Sequence, residues 1–151
     1  MSSVSKICAI VCVLGLSICG CGGATREVVA RAASPLDGVE AILFEVDGGT
    51  TTTFSYEVEL VDKNTGHASL VAVLVRAGRN QEAYGANLRW VDGSTLWIEY
   101  LSARTESLKR PTLTIGGRTI QVVLKSGIND PSAPRGGMFY NLQRSKAEPP
   151  K

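Results

Sequence analysis

The sequence predicts an all-β domain: a small antiparallel sandwich, or a strongly twisted sheet closing into a partial barrel, of about seven strands behind a cleaved N-terminal signal helix. Three observations carry this. Short runs with period-two alternation recur at spacings near ten residues, Gly- and Asp-rich turns punctuate them, and helical periodicity is almost missing. Beyond the first segment about 130 residues remain, enough for one domain and not for two.

The strands follow in order. Glu40 to Val46 is an apolar run closed by Asp47-Gly48-Gly49. Phe54 to Asp62 alternates most clearly, with Phe54, Tyr56, Val58 and Leu60 on one face and Ser55, Glu57 and Glu59 on the other. Lys63-Asn64-Thr65-Gly66 reads as a hairpin turn. Ser69 to Arg76 is apolar on both faces, so it is expected at the centre of a sheet. Asn87 to Val91 and Leu96 to Leu101 flank the turn Asp92-Gly93-Ser94-Thr95, and Thr112 to Ile115 and Arg118 to Leu124 flank Gly116-Gly117. Gly78 to Gly85 is a polar loop. Thr25 to Ser34 shows no clear strand alternation and is expected to be a tether. From Gly127 onward the chain is rich in Pro and Gly and reads as a mobile tail, with Met138-Phe139-Tyr140 as an apolar staple or recognition segment. The expected organisation is thus a signal peptide over 1–20, a tether over 21–36, the β domain over 37–126 and the tail over 127–151.

The first segment has the three parts of a secretory signal: Lys6, an uncharged apolar run from Ile7 to Ile18, and small residues from Cys19 to Gly23. The run is shorter than the roughly 20 residues that a membrane-spanning helix needs. Ile18-Cys19-Gly20-Cys21 resembles the lipobox of bacterial lipoproteins. That resemblance implies cleavage between Gly20 and Cys21 and a diacylglycerol on the Cys21 sulfur, with Cys19 departing mildly from the usual Ser or Ala. All four cysteines (Cys8, Cys12, Cys19 and Cys21) lie in the leader, so the exported domain has no internal disulfide, although its destination is oxidising. A lone thiol at a mature N-terminus makes sense as a lipid attachment point. The expected location is the periplasmic face or the cell surface, anchored by lipid; the alternative is cleavage after Ala24 and release as a soluble secreted protein. Gly22 is not the Asp that resembles an inner-membrane retention signal, which leaves an outer membrane open.

Charge excludes one class of partner. Lys and Arg number 16 against 14 Asp and Glu, and no basic stripe with interleaved aromatics occurs, so nucleic acid is not expected. His67 is the lone histidine; a His67, Ser69 or Ser55, and Asp62 arrangement lacks a nucleophile-elbow sequence. Beyond Cys21 there is no thiol, so no zinc site is expected, and the Asp47 loop lacks the acidic density of a calcium site. Glu57 and Glu59 share a strand face about 7 Å apart, a spacing glycosidases use, but such alternation is what any half-buried strand displays. No catalytic residue, metal or cofactor is therefore assigned. The Asp47 to Thr53 loop (DGGTTTT), with Asp47, Gly48, Gly49, Thr50 and Thr51 foremost, is the candidate ligand- or partner-contact edge, because loops on a rigid sheet carry recognition.

Ser34 to Val58 resembles a run in a family of small uncharacterised bacterial proteins. Glu40-Ala41, Phe44-Glu45, Asp47, Gly49, Thr51-Thr52, Phe54-Ser55 and Val58 match its spacing, and Arg89-Trp90 with Thr95-Leu96, Ile98 and Tyr100 matches its later hairpin. Leu36 is inserted into the family's Ser-Pro-Asp-Gly turn, and Gly48 stands where the family's Asp-Cys-Gly-Ala-Thr-Thr motif has Cys. The resemblance implies one exported β domain and no known activity. The expected function is a non-catalytic, lipid-anchored binding domain meeting a protein or polysaccharide of the cell envelope. The alternatives are a small extracytoplasmic hydrolase using Glu57, Glu59, Asp47 or His67, and a structural accessory subunit of an envelope assembly.

Overall fold

The computed structural model describes residues 24–49 and 52–135; Cys21, Thr50, Thr51 and Met138-Phe139-Tyr140 lie outside the described residues, as does the expected signal helix. Among the described residues nine strands form two packed sheets: β1 (Thr25–Ala33), β2 (Val39–Asp47), β3 (Ser55–Asp62), β4 (Ala68–Val75), β5 (Asn87–Trp90), β6 (Thr95–Glu99), β7 (Thr105–Leu108), β8 (Thr112–Ile115) and β9 (Arg118–Lys125). One sheet has the order β1-β2-β3-β4-β7 and the other β5-β6-β9-β8. The sheets form a sandwich and do not close into a barrel. No helix among the described residues is long and apolar enough to cross a membrane.

The alternation in β3 decides which face is buried. Tyr56, Val58 and Leu60 point into the core, while Ser55, Glu57 and Glu59 face outward. Val39, Ala41 and Leu43 of β2 and Ala72 and Leu74 of β4 extend the same apolar face. The second sheet meets it with Leu96, Ile98, Tyr100, Ile120 and Val122. As expected from its two apolar faces, β4 is internal, between β3 and β7.

All three hairpin turns form where the turn chemistry places them. The β8–β9 turn is the tightest. Gly116 and Gly117 take φ of 56° and 73°, the conformation a two-residue turn needs to match the strand twist. A Cβ on Gly116 would also lie 3.1 Å from Val39 Cγ2. Gly116→Ala is therefore expected to destabilise the domain by about 1–2 kcal/mol, the cost of the left-handed conformation for an L-residue. Urea denaturation reads this directly, and an unchanged midpoint would contradict it.

Four features differ from the sequence expectation. Thr25 to Ala33 is not a tether but the edge strand β1, antiparallel to β2. A bulge between Val28 and Ala30 inserts Val29 and shifts the phase of the alternation, which hides the strand in the sequence. The count is nine rather than about seven, because Thr105–Leu108 is also a strand. It is short and polar, as edge strands often are. The second sheet is not wholly antiparallel: β6 and β9 run parallel, because the chain crosses to the first sheet as β7 before returning as β8 and β9. Finally, the domain continues past residue 126. Gly127 N–H donates to Leu101 O, Asp130 N–H to Arg79 O, and Ala133 is buried.

One end of the sandwich gathers the ends of β2, β4, β6 and β9 and the starts of β3, β5 and β7. The chain also enters there, since Thr25 pairs with Asp47. The opposite end carries these three hairpin turns and the β1–β2 turn. There Trp90 turns inward and its indole N–H donates to Ala32 O at 2.9 Å, tying β5 to the edge strand β1.

Candidate functional site

The Asp47 to Thr53 loop leaves β2 and enters β3 at the end where the chain enters the sandwich. Its first turn is local chemistry. Gly49 N–H donates to Asp47 Oδ1 at 3.0 Å, Gly49 takes a φ of 85°, and Thr52 N–H donates to Gly49 O at 3.2 Å. Gly48 packs against Thr52 so closely that a Cβ would lie 1.8 Å from Thr52 Oγ1. Thr52 and Thr53 are exposed.

A rigid base lies beneath this loop. Phe54 is buried and packs edge-on against Tyr84, ring centroids 4.7 Å apart. Tyr84 keeps 41% of its surface exposed. The next core position holds Tyr56, whose hydroxyl donates to buried Glu45 Oε2 at 2.7 Å. Burial, then the hydrogen bond to Glu45 and the charge of Glu45, push the Tyr56 phenol above its ordinary value. Burial, with Glu106 nearby, pushes the Tyr100 phenol up to about 12. Both phenols therefore stay protonated at neutral pH; Tyr56 serves as a structural donor to Glu45, whereas the buried Tyr100 hydroxyl makes no hydrogen bond among the described residues.

The second part of the base is centred on Asp130. Its carboxylate accepts from Arg79 Nη2 at 2.5 Å, Asn87 Nδ2 at 3.0 Å, Ser132 Oγ at 2.6 Å and Ser132 N–H at 3.0 Å. The Ser132 hydroxyl, the Asn87 amide and the Arg79 guanidinium hold Asp130 well below the usual carboxylate range, against the opposing effect of burial. The Asn80 amide donates to Asp130 O and Ala133 O at 2.9 and 3.2 Å. These bonds lock the 78–85 loop, the start of β5 and the segment after β9 into one unit.

The other sequence candidates are not brought together. Glu57 and Glu59 do share the outer face of β3, but Arg26 of β1 spans them, with Nε to Glu57 at 2.8 Å and Nη2 to Glu59 at 2.7 Å. The same guanidinium stacks 3.4 Å over the Phe44 ring. His67 is exposed at the opposite end and approaches Ser69 at 3.3 Å. Asp62 is occupied by the hairpin turn, accepting from Asn64 and Thr65 N–H. Ser55 lies at the far end of β3 from Asp62. No group of three metal-ligating side chains occurs among the described residues.

The sequence reading missed Glu45, Arg79, Tyr84, Asn87 and Asp130. A signal existed only for Asp130: in Asp130-Pro131-Ser132 an Asp sits two residues before a Ser whose N–H it accepts, an Asx-turn pattern. Of the residues matched by the family resemblance, Leu96, Ile98 and Tyr100 are core and Arg89 lies across from Trp97. Trp97 carries Arg89 at 4.5 Å and Lys125 at 4.3 Å from its ring centroid, on the outer face of the smaller sheet. Comparison with protein-family models, curated proteins and solved structures finds no match to this chain.

Proposed function

We propose that the chain is a non-catalytic, lipid-anchored binding domain of the cell envelope, held to the membrane through Cys21, with the end of the sandwich that carries the Asp47 to Thr53 loop as its contact edge. The observation that carries this reading is the braced base under that loop: Tyr56 on Glu45, and Arg79, Asn87 and Ser132 on Asp130. A braced scaffold beneath the exposed Thr52 and Thr53 and a half-exposed Tyr84 is the arrangement in which loops recognise partners at low ordering cost. The alternative of a hydrolase has less support, because Asp47 and His67 sit at opposite ends and Glu57 and Glu59 are both engaged by Arg26.

The anchor is tested by metabolic fatty-acid labelling of wild type and Cys21→Ser. Label on the wild type and its complete loss in the variant is the expected outcome. An unlabelled wild type recovered from the medium would favour the soluble secreted form instead.

A further inference from the structure

We infer that the contact edge is a phospholipid-headgroup surface: the sandwich stands end-on to the bilayer, with Tyr84, Ile128, Arg76 and Arg104 against it. This rests on the lipid-anchor reading and names the partner of its contact edge. The first argument is reach. Because β1 begins at Thr25, three residues (Gly22, Gly23 and Ala24) separate Cys21 from the first strand, a reach of about 14 Å at most over four Cα steps. Thr25 pairs with Asp47, so that short span leads to the loop-bearing end and to no other. The hairpin end lies the length of β3 away, about 27 Å for eight extended residues. A domain lifted on a long tether would leave its orientation free; this one does not.

The second argument is what that end exposes. Tyr84 and Ile128 are each 41% exposed at this end, while the other two large hydrophobic side chains so exposed among the described residues, Leu36 and Val91, lie at the hairpin end, so reach and not apolar exposure selects between the ends. Tyr84 and Ile128 belong to one row: Gly78 bridges Tyr84 on one side and Ser102 on the other, while Gly127 N–H donates to Leu101 O beside Ser102. Tyrosine suits the bilayer interface because its ring is apolar and its hydroxyl stays wet. Arg76 N–H donates to Phe54 O, and Arg104 N–H to Val75 O, so both residues sit at the same end of the sandwich as the Phe54–Tyr84 pair. Both side chains are exposed, and neither is ion-paired among the described residues. Arg76 also holds a left-handed φ of 52°. A guanidinium matches a phosphate diester with paired N–H donors. Asp47 and Glu106 share this end, so the attraction works through the headgroup phosphate rather than through net charge, and added anionic lipid should strengthen it only modestly.

The test uses residues 21–151 coupled through the Cys21 thiol to a maleimide phospholipid, in vesicles of phosphatidylcholine with or without phosphatidylglycerol. Amide hydrogen exchange is compared with the same chain capped at Cys21 and free in solution. On both vesicles, exchange should slow over 77–85, 101–104 and 127–129 and stay unchanged over 62–67 and 116–117. Arg76→Glu and Arg104→Glu should each reverse that slowing by about fivefold while leaving the thermal midpoint in place. Unchanged exchange at the loop-bearing end, equal slowing at both ends, or slowing at the hairpin end alone would overturn the proposal. So would slowing at this end that arises only when envelope polysaccharide is added. Because the lipid is attached chemically, a negative result here is distinct from an unlabelled protein in cells.

Discussion

Tyr56→Ala is expected to destabilise the domain by about 3–5 kcal/mol, the range for emptying a large aromatic site in a core. Tyr56 is 1% exposed, lies edge-on to Phe54 with centroids 6.0 Å apart, and fills the space between the sheets beneath the candidate loop. Part of the loss comes from the hydrogen bond to Glu45. Tyr56→Phe isolates that part, and about 1.5–3 kcal/mol is expected for a bond to a charged group. The two variants, compared by urea denaturation, separate cavity from hydrogen bond. A Phe variant as stable as wild type would mean that the Tyr56–Glu45 bond contributes nothing net.

The second large effect is Asp130→Ala, which strips the partner from Arg79 and three further donors. The side chains of Arg79 and Asp130 are only 15% and 12% exposed, and Arg79 Nε makes no hydrogen bond among the described residues. About 3 kcal/mol is expected, the low end of the range for breaking a buried pair, because both groups keep some solvent contact. The pH dependence follows from the sign of the shift. The folded carboxyl of Asp130 is depressed, so its stabilisation is present above the unfolded value near ~3.9 and is lost as pH falls through the lowered folded value. Asp62 and Asp92 are also depressed, chiefly by the backbone N–H groups of Asn64 and Ser94 in their turns, and they act in the same window. Wild type should lose thermal stability steeply below about pH 4, and Asp130→Ala should lose less over the same interval. Parallel losses in the two proteins would show that Asp130 is not the titrating group.

Both effects concern residues that sequence reasoning reached unevenly. Tyr56 was legible as an inward position because β3 alternates without interruption over Ser55–Asp62. Its partner Glu45 was not, since a carboxylate in an apolar run gives no hint of which side chain will meet it across the β2–β3 pair. Arg79 and Asp130 stand 51 residues apart, and nothing local to either predicts that they meet. The Asp47 to Gly49 turn was legible, because an Asp side chain two residues before a glycine N–H closes it without tertiary help.

The chain by itself therefore determined the all-β class, seven of the nine strands, the three hairpin turns and which face of β3 is buried. Each of these rests on interactions within a few residues: the two-residue period of a strand, the φ freedom of Gly116 and Gly117, the Asx bond of Asp62. Only the tertiary structure decided the rest. Strand β1 pairs because β2 offers an open edge, and its bulge at Val29 hides that in the sequence; β7 gains its place from β4 alone; β6 and β9 lie parallel because the chain crosses between sheets. The most consequential of these is β1. It turns a supposed tether into part of the sheet, and so places Thr25 beside Asp47, at the end of the molecule that carries the candidate contact edge. Such pairings are set by the cost of leaving backbone groups and apolar faces unpartnered across long loops, which no local pattern records.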